Sequence, residues 1–208
     1  VDGTGKRTVV PATDGEAQSI VYNPSDNRIY WSEAAGGRIR RANLDGTGIQ
    51  TIANFTPDPG IQYSEYGVPL AVGVVNGVNL LFWRSYERRN NQDLCVIWQL
   101  NLAGGMPTRI IDTGLYRDQG ALALDAEYGK LYYADGFNIR RANSDGSNQE
   151  IFFNQGYSIS DLTFADGKLY WVNYYSPHSI RRMDTTGAAV EVIATIADDQ
   201  FPVHTTSL

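Results

Sequence analysis

Arg28-Ile29-Tyr30-Trp31-Ser32-Glu33, followed by Arg38-Ile39-Arg40-Arg41-Ala42-Asn43-Leu44-Asp45-Gly46-Thr47, decides the fold, because the chain writes this pair of segments again. The second writing is Lys130-Leu131-Tyr132-Tyr133-Ala134-Asp135 with Ile139-Arg140-Arg141-Ala142-Asn143-Ser144-Asp145-Gly146-Ser147. The third is Lys168-Leu169-Tyr170-Trp171-Val172-Asn173 with Ile180-Arg181-Arg182-Met183-Asp184-Thr185-Thr186-Gly187. A looser copy joins Asn79-Leu80-Leu81-Phe82-Trp83-Arg84-Ser85 to Ile97-Trp98-Gln99-Leu100-Asn101-Leu102-Ala103-Gly104. Self-similarity at roughly 40–50 residues marks an array or a propeller, whose units bury their apolar surface only against each other.

Each repeat reads as four short strands. The apolar runs are broken by turn pairs: Asp45-Gly46 and Asp145-Gly146 before the last strand, Asn76-Gly77 and Asp166-Gly167 after the first. Glycine enters such turns because it accepts positive φ without steric cost. The repeats span about 19–54, 68–113, 120–154 and 158–195, and Val1–Val10 matches the end of a preceding repeat. Phe55–Gly67, with Pro57, Pro59 and Gly60, reads as an irregular linker. Lys6–Val10 reads as a fourth strand lacking its own second and third strands, and Phe201–Thr205 as the start of a further first strand. An all-β propeller of four complete four-stranded antiparallel blades, with strands of an incomplete further blade, is the expected fold.

Composition agrees with that class. The 208 residues are enough for one sizeable core. Thirteen Tyr, seven Phe, four Trp and 21 Gly suit short strands and tight turns. The net charge of −6 is spread without basic blocks, which argues against nucleic acid or an anionic membrane as a partner. No apolar run approaches the length of a membrane span. Cys95 is the single cysteine and reads as a small buried apolar residue.

Tyr-Trp-x-acid on the second strand, Ile-x-x-Ala on the third and Asp-Gly-Thr/Ser in the next turn resemble the YWTD repeat, the class B repeat of the low-density lipoprotein receptor family. The resemblance is weakest in the second repeat, where Phe82-Trp83-Arg84-Ser85 departs from the motif. It implies a propeller of normally six four-stranded blades, acting as a non-enzymatic protein-binding module without a cofactor, and it favours an extracellular setting. Fewer than six blades of this size fit in the chain.

Strand alternation sends Tyr30 and Trp31 to opposite faces, and Tyr132, Tyr170 and Trp171 likewise serve the packing between blades. It also separates Arg40 from Arg41 and Arg140 from Arg141, so one guanidinium of each pair turns inward and needs an acceptor. Glu33, Asp135 and Asn173 stand in the repeats that carry the Arg pair. The second repeat has Ser85 there and Trp98-Gln99 in place of the arginines. Donor and acceptor vanish together, which predicts an Arg–carboxylate pair in the other repeats.

The candidate ligand-binding residues follow the second strands, in loops that would share one rim. They are Tyr86, Arg88 and Arg89 in an insertion running to Gln92, then Phe137, then Tyr174, Tyr175 and His178. Aromatic and Arg side chains bring large contact area and suit a protein or glycan surface. A lectin-like propeller is the alternative reading, though unlike loops fit repeated sugar pockets poorly. A metal-dependent propeller hydrolase would need acids converging on the axis. Asp125, Asp161 and Asp166 are the crude candidates, without a recognisable ligand spacing. His178 and His204 are isolated, and no nucleophile or phosphate-loop motif is present. Asn54-Phe55-Thr56 is a glycosylation sequon. Open blade edges would also allow two chains to pair.

Overall fold

The computed structural model describes residues 4–5, 7–11, 15–33, 36–55, 62–63, 68–89, 92–115, 120–154, 156, 158–173 and 178–196. It is all β: among the described residues there is no helix. The fold is built of β-propeller blades, antiparallel sheets with strands in sequence order. Two compact units hold them, residues 1–116 and 117–208.

Blade 1 comprises β1 (Ala17–Asn23), β2 (Arg28–Glu33), β3 (Arg38–Asn43) and β4 (Gln50–Asn54). A short β5 (Gln62–Tyr63) precedes blade 2, whose strands are β6 (Leu70–Val75), β7 (Val78–Arg89), β8 (Gln92–Asn101) and β9 (Thr108–Leu115). In the second unit, blade 3 is β10 (Leu122–Asp125), β11 (Lys130–Asp135), β12 (Asn138–Asn143) and β13 (Glu150–Asn154). Blade 4 is β14 (Ile159–Ala165), β15 (Lys168–Asn173), β16 (His178–Asp184) and β17 (Glu191–Ile196).

Three expectations change. Residues 7–11 are in no strand, so the strand expected at Lys6–Val10 is not formed there, while Phe201–Thr205 lies outside the described residues. The expected insertion loop after the second strand of blade 2 is instead an extension of the hairpin. There β7 and β8 pair as far as Arg89 and Gln92. The linker is not wholly irregular, since Gln62 and Tyr63 pair with Arg88 and Glu87. The hairpin lengthens because strand-forming residues flank its tip, and β5 covers part of the added edge.

The register gives each blade a Trp face and a Tyr face, after the places of Trp31 and Tyr30; Phe82 holds the Tyr place in blade 2 and Tyr133 the Trp place in blade 3. In blade 1, Ile20 pairs with Trp31 and Trp31 with Arg40 on one face, while Val21 pairs with Tyr30 and Tyr30 with Arg41 on the other. The Tyr face of blade 1 packs on the Trp face of blade 2. One cluster joins Tyr30, Ile39 and Phe55 to Leu70, Leu81, Trp83 and Trp98. The Trp83 indole donates to the Phe55 carbonyl at 3.0 Å, and Trp83 stacks on Trp98. Blade 3 meets blade 4 in the same way. Tyr132 stacks on Phe164 at 6.0 Å, Phe153 tilts against Trp171, and Leu162, Leu169 and Met183 complete the cluster.

The Asp-Gly turns are tied by their own side chains. Asp45 Oδ1 accepts from the backbone N–H and the hydroxyl of Thr47 at 2.9 and 2.7 Å. Asp145 with Ser147, and Asp184 with Thr186, repeat the pattern. In each, the hydroxyl bond is the larger cause, and the amide bond the next, of a carboxyl pKa held below the usual aspartate value. Gly46 has φ +87°, and a Cβ there would lie 1.8 Å from the Val9 carbonyl oxygen. The position therefore excludes any side chain.

Burial and turn chemistry each set a test. Leu162 and Ile20 both pair with the tryptophan of their blade's second strand, yet they are 4% and 66% exposed. Leu162→Ala should cost about 2–4 kcal/mol and Ile20→Ala under about 1 kcal/mol in urea unfolding. Equal losses would contradict the packing described.

For the turns, an acid with a depressed folded pKa stabilises fully above its unfolded value and loses that contribution as pH falls through the folded value. The triple variant Asp45→Asn, Asp145→Asn, Asp184→Asn should therefore melt below the parent at neutral pH. The gap should close progressively below about pH 4. A melting-temperature gap as wide at about pH 2 as at neutral pH would refute this account.

Candidate functional site

The second-strand hairpins open at one end of each blade pair. In the first unit the Ser32 hydroxyl donates to the Val68 carbonyl at 2.8 Å near that end, and the Asn23 amide reaches Asn79 at the other. Equivalent ends thus coincide in blades 1 and 2. A polar cluster on the Trp face braces each hairpin base, buried in blades 1 and 2 and nearer water in blade 3.

In blade 1, Glu33 is fully buried at the last position of β2. Its Oε1 accepts from the Trp31 indole at 2.8 Å and from Arg40 Nη1 at 3.1 Å. Its Oε2 accepts from Arg38 Nε and Nη2, each at 3.0 Å. Arg38 opens β3, so the carboxylate ties both ends of the hairpin loop together. A buried carboxylate is tolerated here because charge-assisted bonds replace its water.

Blade 2 rebuilds the cluster from other residues, which corrects the expectation that donor and acceptor vanish together. Glu87, 2% exposed and two residues beyond Ser85, lies on the same face of β7. It accepts from the Trp98 indole at 3.2 Å and from Arg109 Nη1, on β9, at 3.4 Å. Ser85 is itself buried and accepts from Trp98 at 3.0 Å.

Blade 3 keeps Asp135 and Arg140 at 2.5 Å, but their side chains are 29% and 32% exposed, so the pair lies nearer water than the inference supposed. Blade 4 has no acid at this place. Asn173 donates to Ser179 Oγ at 3.1 Å, and Arg181 donates to the same oxygen. On the Tyr face, Arg41 donates to Gln50, Arg141 to Glu150 and Arg182 to Glu191.

The expected rim residues fall out unevenly. Phe137 sits in the β11–β12 turn and is 55% exposed. His178 is half-buried as the first residue of β16 rather than in a loop, its Nδ1 facing the Asn173 carbonyl at 3.5 Å. Tyr86 is 3% exposed under the guanidinium of Arg84 and presents no rim surface. The backbones of Arg88 and Arg89 lie at the tip of the long hairpin, and their side chains lie outside the described set. Tyr174 and Tyr175 lie outside the described residues. Sequence reasoning missed Glu87 and Arg109. The usable signal was the i, i+2 spacing from Ser85 to Glu87.

Asp125 is buried and caps its own turn through the Tyr128 amide. Asp161 is exposed on β14, with partial desolvation by its neighbours raising its carboxyl pKa, and Asp166 occupies a hairpin turn. Among the described residues no cluster of three or more His, Cys, Asp or Glu side chains could hold a metal ion.

The chain is 29% identical over 163 residues to the low-density lipoprotein receptor-related protein 5 of Mus musculus, covering 75% of this chain and 9% of that one. The blades are YWTD-type propeller blades. The chain spans about a tenth of the length of that relative. No family model matches. Among solved structures, a chain in the crystal structure of a nidogen/laminin complex superposes with a TM-score of 0.65 at 19% identity, over 86% of this chain and 64% of that one. A luciferin-regenerating enzyme superposes with a TM-score of 0.60 at 16% identity, over 88% of this chain and 63% of that one. These likenesses show the propeller fold, and the fold alone separates neither binding modules from enzymes.

The polar clusters predict a graded response. Glu33→Ala or Glu87→Ala strands guanidinium and indole donors around a buried hole, and should cost about 3 kcal/mol. Asp135→Ala removes a part-exposed pair and should cost under about 1 kcal/mol. Denaturant midpoints would measure the three, and a ranking with Asp135 first would overturn this assignment.

Proposed function

We propose that the chain is a non-enzymatic protein-binding propeller module that takes its partner on the rim formed by the second-strand hairpins. The observation that carries this reading is Phe137, a large apolar side chain 55% exposed at a hairpin tip. Its own hairpin is tied at the base by the Asp135–Arg140 pair at 2.5 Å, as those of blades 1 and 2 are by the buried Glu33 and Glu87 clusters. An aromatic ring on a rigid base brings contact area at little entropic cost, which is the profile of an interface anchor. Tyr174, Tyr175 and His178 belong to the same proposed surface of the second unit, and Arg88 and Arg89 to the corresponding hairpin of the first. The receptor-related relative supports the reading, as does the occurrence of this fold in a nidogen/laminin complex. Unlike hairpins from one blade to the next suit one extended protein surface better than a set of equal sugar pockets.

Phe137→Ala combined with Tyr174→Ala and Tyr175→Ala tests it. With partners captured from an extracellular protein library and ranked by surface plasmon resonance, the variant should lose at least about tenfold in affinity, the scale of an anchor residue. Its melting temperature should stay near the parent value. Undiminished affinity would place the partner on another face.

A further inference from the structure

Asn54-Phe55-Thr56 is an acceptor triplet for N-linked glycosylation that the rim reading leaves unused. The fold places its asparagine where a large polar group can stand. β4 is the edge strand of blade 1, and Asn54 is its last residue and exposed. Among the described residues the Asn54 side-chain amide has no hydrogen-bond partner. The chain on either side is anchored inward. Ala53 packs against the cluster between blades 1 and 2, so strand alternation turns Asn54 the other way. Phe55 is 1% exposed, its N–H donates to the Gly37 carbonyl at 2.7 Å, and its carbonyl accepts from the Trp83 indole at 3.0 Å.

Asn23-Pro24-Ser25 has similar outer residues and fails on both counts. Proline in the middle position bars transfer. Asn23 is also fully buried, with its amide donated to Asn79 at 3.1 Å. The exposure of Asn54 belongs to its row in the blade and not to the end of the stack. Asn54 pairs with Arg38 as Thr195 pairs with Ser179 and Asn154 with Asn138. Thr195 is exposed although blade 3 covers the Trp face of its blade, and Asn154 is exposed as well. A substituent at this place therefore stands beside the stacked sheets and leaves their packing intact.

We propose that Asn54 is a modification site that carries an N-linked oligosaccharide. The donor is a lipid-linked oligosaccharide diphosphate of a secretory compartment, which accords with the extracellular setting that the repeat implies. The Asn54 side-chain nitrogen forms a bond to C1 of the first sugar, while the bond from C1 to the diphosphate oxygen breaks. The electron pair leaves with the diphosphate, and the amide gives up one proton to a base of the transferase. Nothing is oxidised or reduced. Thr56, outside the described residues, counts by its place in the sequence, where the acceptor triplet needs a hydroxyl. The product is a bulky hydrated group at the end of an edge strand. The outward N–H and C=O groups of such a strand invite pairing with another chain, and a glycan beside them obstructs it.

Intact mass spectrometry of the full chain, directed through the secretory pathway of cultured animal cells, tests this without any rim ligand, so failure of partner binding leaves it untouched. Both the secreted and the retained pools are read. The parent should be heavier than its polypeptide. Peptide N-glycosidase applied without denaturant should return it to the polypeptide mass and, in heavy-oxygen water, place the isotope on residue 54. Asn54→Gln and Thr56→Ala should each lose the added mass entirely, whereas Thr56→Ser and the control Asn154→Gln should keep it. Asn54 is exposed, so Asn54→Gln should retain the parent circular-dichroism spectrum. A parent at bare polypeptide mass in both pools, added mass that survives Asn54→Gln, or an isotope label on another residue would overturn the proposal. Release of the glycan only after denaturation would overturn its exposed placement.

Discussion

A sheet that is apolar on both faces cannot be covered by a single neighbour. The adjacent aromatics of β2, Tyr30 and Trp31, point to opposite sides, and each side must find a partner sheet. Stacking blades with Tyr face on Trp face satisfies this requirement. It explains why the largest buried side chains include Trp83, Trp171, Tyr30 and Tyr132. It also restricts where polar groups sit: on the faces they need paired charges, and only the outer strands and turns are free to be polar. The exposed β4 and β13 residues Gln50, Thr51 and Glu150 follow that rule.

The same constraint makes the Trp-face carboxylates a bracing device. A buried carboxylate is costly unless its bonds are all made. Glu33 meets that condition by drawing donors from β2 and from both the start and the middle of β3. Its net contribution to stability is small compared with its effect on geometry. Because Arg38 is the first residue of β3, fixing its guanidinium also fixes the exit direction of the hairpin loop. The hairpin is therefore held at its base by groups that lie beneath its tip.

Strand order, both faces and the Asp-Gly turns were legible in the sequence because they rest on local periodicity and on turn chemistry. What was not legible came from longer range. Ser85 appeared to mark a lost acceptor, but Glu87 lies on the same face one pleat further along, and its cation Arg109 comes from a strand far away in sequence. No local pattern announces that pairing. Tyr86 looked like a loop residue because charged and amide residues follow it. Extending β7 to Arg89 turned it onto a covered face instead. Hydrophilic tips do not distinguish a loop from a longer hairpin, since exposed strand ends tolerate both.

What repeats and what varies in these blades separates scaffold from specificity. The aromatic doublet, the Arg pair and the tied turn recur with nearly the same partners in blades 1 and 3. The segment after the second strand does not: Gly36-Gly37 in blade 1, the long hairpin tip in blade 2, Gly136-Phe137 in blade 3, and a stretch ending at His178 in blade 4. Even the brace differs there, with Asn173 and Ser179 replacing the carboxylate. There Arg181 donates to a hydroxyl rather than to a carboxylate, so the brace of blade 4 lacks the ion pair that blades 1 and 2 carry. Bonds of the scaffold recur while the segments above them differ, and variation confined to such segments leaves the packing of the blades untouched.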